Sequence, residues 1–275
     1  MFSCRPRSRC VLALALVRPC LAWVAISRTA GRRSSTLTMQ EAPPLTLHCK
    51  AGPDQTSYGD CPFAHAVRLC LETKSLSYNL EPHGPDNKPA WLLEGYGGKM
   101  PALEIGSGAD RRVVTESRTI AEEIDRLCPS PSLSPEGLEA GDAAAADVFP
   151  AMAGYVKNTD AARVDELKKP LLLALCKLDA HLASSGSFVA GEQMSMADCF
   201  LVPKLYHMQI VAAHFHGFEV PPQFEALQAY MSRTLESVMF RRTAPVPPMV
   251  KWGWANARGN AAEIERAAAE ALAAD

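Results

Sequence analysis

The chain has 275 residues, 48% of them apolar, with 28 basic and 30 acidic side chains; it is long enough for one large domain or two modest ones, and apolar enough to exclude a disordered chain. Residues 1–40 hold seven arginines (Arg5, Arg7, Arg9, Arg18, Arg28, Arg32, Arg33) and no acid, which leaves 21 bases against 30 acids in residues 41–275. That acidic body excludes a polyanion-binding surface, and no apolar run reaches the roughly 18–20 residues of a membrane-spanning helix, so neither nucleic acid nor stable membrane insertion is expected.

The first forty residues, rich in Arg, Ser and Thr with two short apolar runs at 10–17 and 21–26, read as a targeting leader. The two-part pattern, a signal-like centre followed by a basic segment, favours a plastid; a mitochondrial or a secretory address are the alternatives. Six cysteines follow in the body: Cys49, Cys61, Cys70, Cys128, Cys176 and Cys199. They are scattered through a core-rich chain and none has the short C-x₂-C or C-x₄-C spacing of a zinc site, so they read as free thiols in a reducing compartment, with no metal site expected.

From Leu45 the chain alternates, Leu45, Leu47 and Cys49 against Thr46 and His48, which predicts a strand. After a Gly/Pro/Asp-rich loop, Phe63, Ala66, Val67, Cys70 and Leu71 recur at helical spacing. Short strands are expected at 78–80, 101–105 and 111–114. A helix from Ser117 to Leu127 follows, with Ile120, Ala121, Ile124 and Leu127 on one stripe. The order is β-α-β-β-β-α over residues 41–128. The stretch 129–141 (PSPSLSPEGLEAG) reads as a linker. Residues 142–258 read as an all-helical domain, with a leucine stripe from 171 to 182 and helices near 195–214 and 223–235. An Ala- and Glu-rich tail occupies 259–275 as a surface helix or a frayed end. The expected architecture is a small α/β domain joined to a helical one.

The sharpest local signal is Gly59-Asp60-Cys61-Pro62-Phe63. Proline favours the first helical position, which places Cys61 at the N-cap with its sulfur over free backbone N–H groups. There the helix dipole favours thiolate, and a cysteine pKa can fall from about 8.5 to roughly 3.5–7.5. Cys49, Cys70, Cys176 and Cys199, on a strand or within helices, read as core. A dithiol oxidoreductase would carry its second cysteine where this chain has Ala64, so an external thiol must resolve an oxidised Cys61 and glutathione is the candidate. Lys99-Met100-Pro101 puts a proline at a strand start, where either isomer fits; the cis form would turn the Met100 backbone outward to meet an extended peptide. Glu116-Ser117 opens a helix and can receive the amino and carboxylate groups of a γ-glutamyl unit, or simply cap it. Ser195-x-x-Asp198 is a capping box. Lys204 and Tyr206 read as surface and packing, His207 as either a core histidine or a pocket group, and Trp254 as an aromatic lid.

These stretches, together with 88–91 (KPAW), 188–198 (FVAGEQMSMAD), 203–207 (PKLYH) and Gly253-Trp254, resemble glutathione transferases and, within them, plant and algal dehydroascorbate reductases. The resemblance spans about residues 45–256. It implies a thioredoxin-like domain followed by a helical one, and glutathione as co-substrate with no bound cofactor. It places the nucleophile at Cys61, dehydroascorbate contacts at Lys50, Asp60, His207 and Trp254, and glutathione contacts at Lys88, Met100, Pro101, Glu116 and Ser117. A monomer is implied. The chain departs from the family pattern in a shorter loop between Lys50 and Cys61, in Glu116 where Asp is usual, and in Met100 where Val is usual. The implied reaction is attack of the Cys61 thiolate on dehydroascorbate, release of ascorbate, and resolution by two glutathiones. An omega-like thioltransferase and a chloride-channel-like membrane-associating protein share similar Cys-Pro-Phe stretches and are the rivals.

Overall fold

The computed structural model describes residues 43–274, so the targeting leader lies outside the described residues. Four strands form one sheet: β1 (Leu45–Lys50), β2 (Asn79–His83), β3 (Ala102–Ile105) and β4 (Arg112–Thr115), in the order β2-β1-β3-β4. β1 runs parallel to β2 and antiparallel to β3, and β3 is antiparallel to β4. The alternation of β1 buries Leu45, Leu47 and Cys49 in the core. Helix α1 (Pro62–Thr73) lays Val67, Cys70 and Leu71 there, beside Ile120, Ala121 and Ile124 of α3 (Ser117–Leu127).

Between β2 and β3 the structure places a helix where a loop was expected, α2 (Ala90–Tyr96). Seven residues are too few to display a helical period, and its end is marked only by Gly97, whose φ of 62° suits a residue without Cβ.

The remaining helices are α4 (Leu138–Ala145), α5 (Val148–Lys157), α6 (Val164–Ser185), α7 (Met196–His216), α8 (Glu225–Leu235), α9 (Val238–Thr243), α10 (Pro247–Arg258) and α11 (Ala261–Ala274). α7 is the axle of this half. Its capping box forms: Ser195 N–H donates to Asp198 Oδ2 at 2.8 Å, while Oδ1 accepts from Val189 N–H at 3.0 Å and Tyr230 Oη at 2.8 Å. α7 also packs on α1, so the sheet half and the helical half share one continuous apolar core. The chain crossing between the halves contributes to that core through Leu133, fully buried, whose carbonyl accepts from Met196 N–H at 2.8 Å. One core assignment is corrected: Cys176 is exposed, because Leu171, Leu175, Leu178 and Leu182 already occupy the inner face of α6.

Candidate active site

The sheet register gathers the predicted residues at one end. Extending the antiparallel pairing of His48 with Ala102 by two residues sets Lys50 level with Met100. Thr115 pairs with Ala102, so Glu116 and Ser117 emerge beside Met100-Pro101. That peptide bond is cis.

The loop after β1 returns to the same end. Gly59 N–H donates to Lys50 O at 2.9 Å. A Cβ at Gly59 would sit 2.5 Å from that oxygen, so only glycine permits the approach. The loop is braced by Asp54, whose carboxylate accepts from the N–H and hydroxyl groups of Thr56 and Ser57 and is thereby held well below the usual carboxylate range. Asp60 follows, 8% exposed, and takes a hydrogen bond from Lys50 Nζ at 2.6 Å. Lys50 Nζ also lies 5.0 Å from the Trp252 ring centre.

Cys61 is the N-cap of α1, as the Pro62 signal predicts, and its side chain is half-buried. Its acidity departs from expectation. Burial pushes the thiol up; the N–H groups of Ala64 and Phe63 pull it down, Asp60 pushes it up and Lys50 pulls it down, for a net rise. Desolvation thus outweighs the helix terminus. The sign of each neighbour is testable. Asp60→Asn, which removes a carboxylate that opposes the thiolate, shifts the Cys61 titration to lower pH; Lys50→Met shifts it to higher pH. Thiolate ultraviolet absorbance across a pH series reads both, and movement in the reverse sense contradicts this electrostatic arrangement.

Cys49 lies close enough to feel the charge of Cys61, but it is fully buried and burial pushes its thiol up to about 12. It is a poor second nucleophile. Ala64 is buried where a dithiol enzyme would hold its partner cysteine.

The helical half supplies the wall facing Asp60. A Cβ added at Gly253 would stand 1.7 Å from Asp60 Oδ2, so α10 presses bare backbone onto that carboxylate. Trp254 Nε1 donates to His207 Nδ1 at 3.0 Å, which leaves the proton of the neutral ring on Nε2. His207 is fully buried, its pKa pulled down to about 4 by burial, and its Nε2 has no partner among the described residues. Aromatic rings continue the wall: Trp254 meets Phe149 at 6.3 Å and Phe149 meets Phe63 at 5.6 Å. Lys204, read as a surface residue, is half-buried with Nζ 5.7–6.0 Å from Phe63, Phe149 and Phe200. Tyr206 packs as expected, donating to Pro245 O at 2.8 Å.

On the other side, Glu116 adopts φ 68°, a costly conformation for a residue with a side chain, of the kind that concentrates at ligand clamps. Its exposed carboxylate accepts from Lys99 Nζ at 3.0 Å. Lys88 Nζ donates to Gly98 O at 2.9 Å, tying the segment before α2 to the loop after it. Trp252 and Phe149 join the site with no sequence signal, and Gly253, quoted only within the family resemblance, is given no role there by the sequence. A lone Trp-Gly pair signals nothing by spacing, and the approach of Gly253 to Asp60 exists only in three dimensions.

Two families match the chain: glutathione S-transferase, N-terminal domain, over residues 60–127, and glutathione S-transferase, C-terminal domain, over residues 161–233. Among curated relatives, the rice protein named "Probable glutathione S-transferase DHAR2, chloroplastic" is 33% identical over 233 residues, covering 82% of this chain and 81% of that one. Among solved structures, a Chlamydomonas reinhardtii dehydroascorbate reductase superposes with TM-score 0.68 at 32% identity, over 78% of this chain and 98% of that one. The CLIC homologue EXC-4 from C. elegans superposes with TM-score 0.69 at 18% identity, over 82% of this chain and 87% of that one. That likeness is one of fold alone.

Proposed function

The chain belongs to the dehydroascorbate reductase group of the glutathione transferase family, and we propose that it reduces dehydroascorbate to ascorbate with glutathione through Cys61 as the single nucleophile. The observation that carries the reading is the placement of Cys61 at a helix N-terminus, beside the Lys50–Asp60 pair, with alanine where a resolving cysteine would stand.

The Cys61 sulfur, once ionised, adds to a carbonyl carbon of dehydroascorbate, and the resulting alkoxide takes a proton. The S–C bond then breaks with its electron pair passing to the sugar, which leaves as ascorbate, while water delivers hydroxide to sulfur as a sulfenic acid. The first glutathione condenses with that sulfur and expels water, giving a mixed disulfide. The second attacks the glutathione sulfur, restoring Cys61 and releasing glutathione disulfide. Two thiols are oxidised and one dehydroascorbate gains two electrons and two protons, so no bound redox cofactor enters.

Lys50 and Asp60 orient dehydroascorbate, with Lys50 also offsetting the thiolate. His207 and Trp254 close the pocket from the helical side. Glutathione lies along the Met100-Pro101 backbone, its γ-glutamyl end at Glu116 and Ser117 and its other end toward Lys88. Its amino group replaces Lys99 on Glu116, an exposed ion pair that holds little energy. Glu116→Gln is accordingly expected to raise the KM for glutathione by about ten- to a hundredfold, the worth of one charged hydrogen bond, with little change in the KM for dehydroascorbate; steady-state kinetics varying each substrate separates the two. Action as a monomer is part of this proposal and rests on the family resemblance alone. The chloroplastic rice relative and the Arg-rich leader support a plastid address.

The test against the thioltransferase reading is a comparison of glutathione-dependent rates on dehydroascorbate and on hydroxyethyl disulfide. A kcat/KM that favours dehydroascorbate upholds the assignment, and a strong preference for the disulfide overturns it. No helix among the described residues is long and apolar enough to cross a membrane, and identity separates this chain from the CLIC homologue where fold does not.

A further inference from the structure

Outside the cysteine site, a second cluster of chemistry-bearing groups sits on β1 and β2. The parallel register sets His48 beside Glu81 and Lys50 beside His83, so His48, Glu81 and His83 share one face. His48 Nδ1 lies 2.9 Å from His83 Nε2 and 3.4 Å from Glu81 Oε2, and His83 Nε2 lies 3.9 Å from the same oxygen. Ligand atoms bound tetrahedrally to zinc at about 2.0–2.1 Å stand roughly 3.3–3.4 Å apart, so this triangle has the dimensions of one face of such a site.

The surroundings are built to match. On its far side, His48 Nε2 is buried, has no hydrogen-bond partner among the described residues, and lies 3.6 Å from Glu104 Oε2. Glu104 is itself fixed by Arg111 at 2.7 Å, and Arg111 lies 4.3 Å from the Trp91 ring, whose edge meets the His48 ring at 5.1 Å. A carboxylate behind a ligating histidine, holding the proton on the outer nitrogen and leaving the inner one free, is the usual support of a zinc ligand. His48 is buried and His83 nearly so, while Glu81 is about half exposed and offers a path for entry. The cysteine spacings that gave no zinc site say nothing of residues brought together across two strands.

We propose that His48, Glu81 and His83 bind one zinc ion, with water at the fourth position, clamping β1 to β2 two residues before Lys50. The site stands independently of the cysteine chemistry. Two imidazoles and one carboxylate suit a borderline divalent ion rather than calcium or magnesium.

The test uses the full chain carrying Cys61→Ser, titrated with Co²⁺ as a spectroscopic probe and then with Zn²⁺. The expected result is one equivalent of cobalt with tetrahedral d–d absorption, no thiolate-to-cobalt charge-transfer band, displacement by Zn²⁺, and a higher Tm with Zn²⁺ present. His83→Asn and Glu81→Gln, both on the partly exposed edge strand, should each weaken binding by at least about tenfold with unchanged circular dichroism. Absence of the d–d bands overturns the proposal. So do bands with thiolate charge transfer that persist in both variants, which would place the ion on cysteines.

Discussion

Serine at position 61 is expected to reduce glutathione-dependent dehydroascorbate turnover to background, a loss of about 10⁴-fold or more on the scale seen when other nucleophiles are removed. The hydroxyl fits the same N-cap and is the better capping group, so Tm should be unchanged or raised. Its chemistry fails because a hydroxyl needs a general base to ionise. Asp60 is already bonded to Lys50, and His207 is fully buried with its Nδ1 lone pair taken by Trp254. A chloroacetamide label, which traps Cys61 in the parent, should be lost from this site in the variant. A folded Cys61→Ser protein that still reduces dehydroascorbate at a rate near the parent's would remove Cys61 from the reaction.

The second large effect is expected from Gly253→Ala. One methyl group there meets Asp60 Oδ2 at 1.7 Å, and Asp60 is buried and held by Lys50. Something must move, and the short aspartate side chain is what can. Overpacking costs about 1–3 kcal/mol and alanine recovers up to about 1 kcal/mol over glycine inside a helix, so a net loss of roughly 0–2 kcal/mol is expected. Activity should fall much further. Displacing Asp60 by an ångström breaks its bond to Lys50, and misplacement on that scale costs about a hundredfold. The diagnostic is coupling: on an Asp60→Ala background, adding Gly253→Ala should cost almost nothing more in kcat/KM. Additive losses would show that Gly253 acts elsewhere.

How much of this was legible depends on whether the signal is local. Pro62 after Cys61 announces a helix start and its N-cap in five residues, and the structure has both. Ser195 and Asp198 announce a capping box, and it forms. The strand alternation from Leu45 to Cys49 fixes which side chains face the core. Local patterns fail where the answer depends on contacts distant in sequence. The helix α2 was hidden by its brevity. The acidity of Cys61 departs from expectation because the helix terminus is visible in the sequence while the desolvation that outweighs it is not. Lys204 looks like a solvated lysine on a helix, yet three rings from two other elements and its own gather round it. Cys176 follows an apolar run but falls one residue off the buried stripe. The His48–Glu81–His83 cluster needs the pairing of two strands whose facing residues, such as His48 and Glu81, are 33 positions apart, which no spacing rule contains.

In the proposed reaction one sulfur, that of Cys61, carries every covalent step. Its most direct test is to quench the wild-type protein during turnover with glutathione and dehydroascorbate and locate the adducts by peptide mass spectrometry. A glutathione mixed disulfide on Cys61 is expected, discharged when excess glutathione is added after dehydroascorbate is exhausted. Full turnover with Cys61 unmodified, or with an intramolecular bond from Cys61 to Cys49 as the accumulating species, would contradict it.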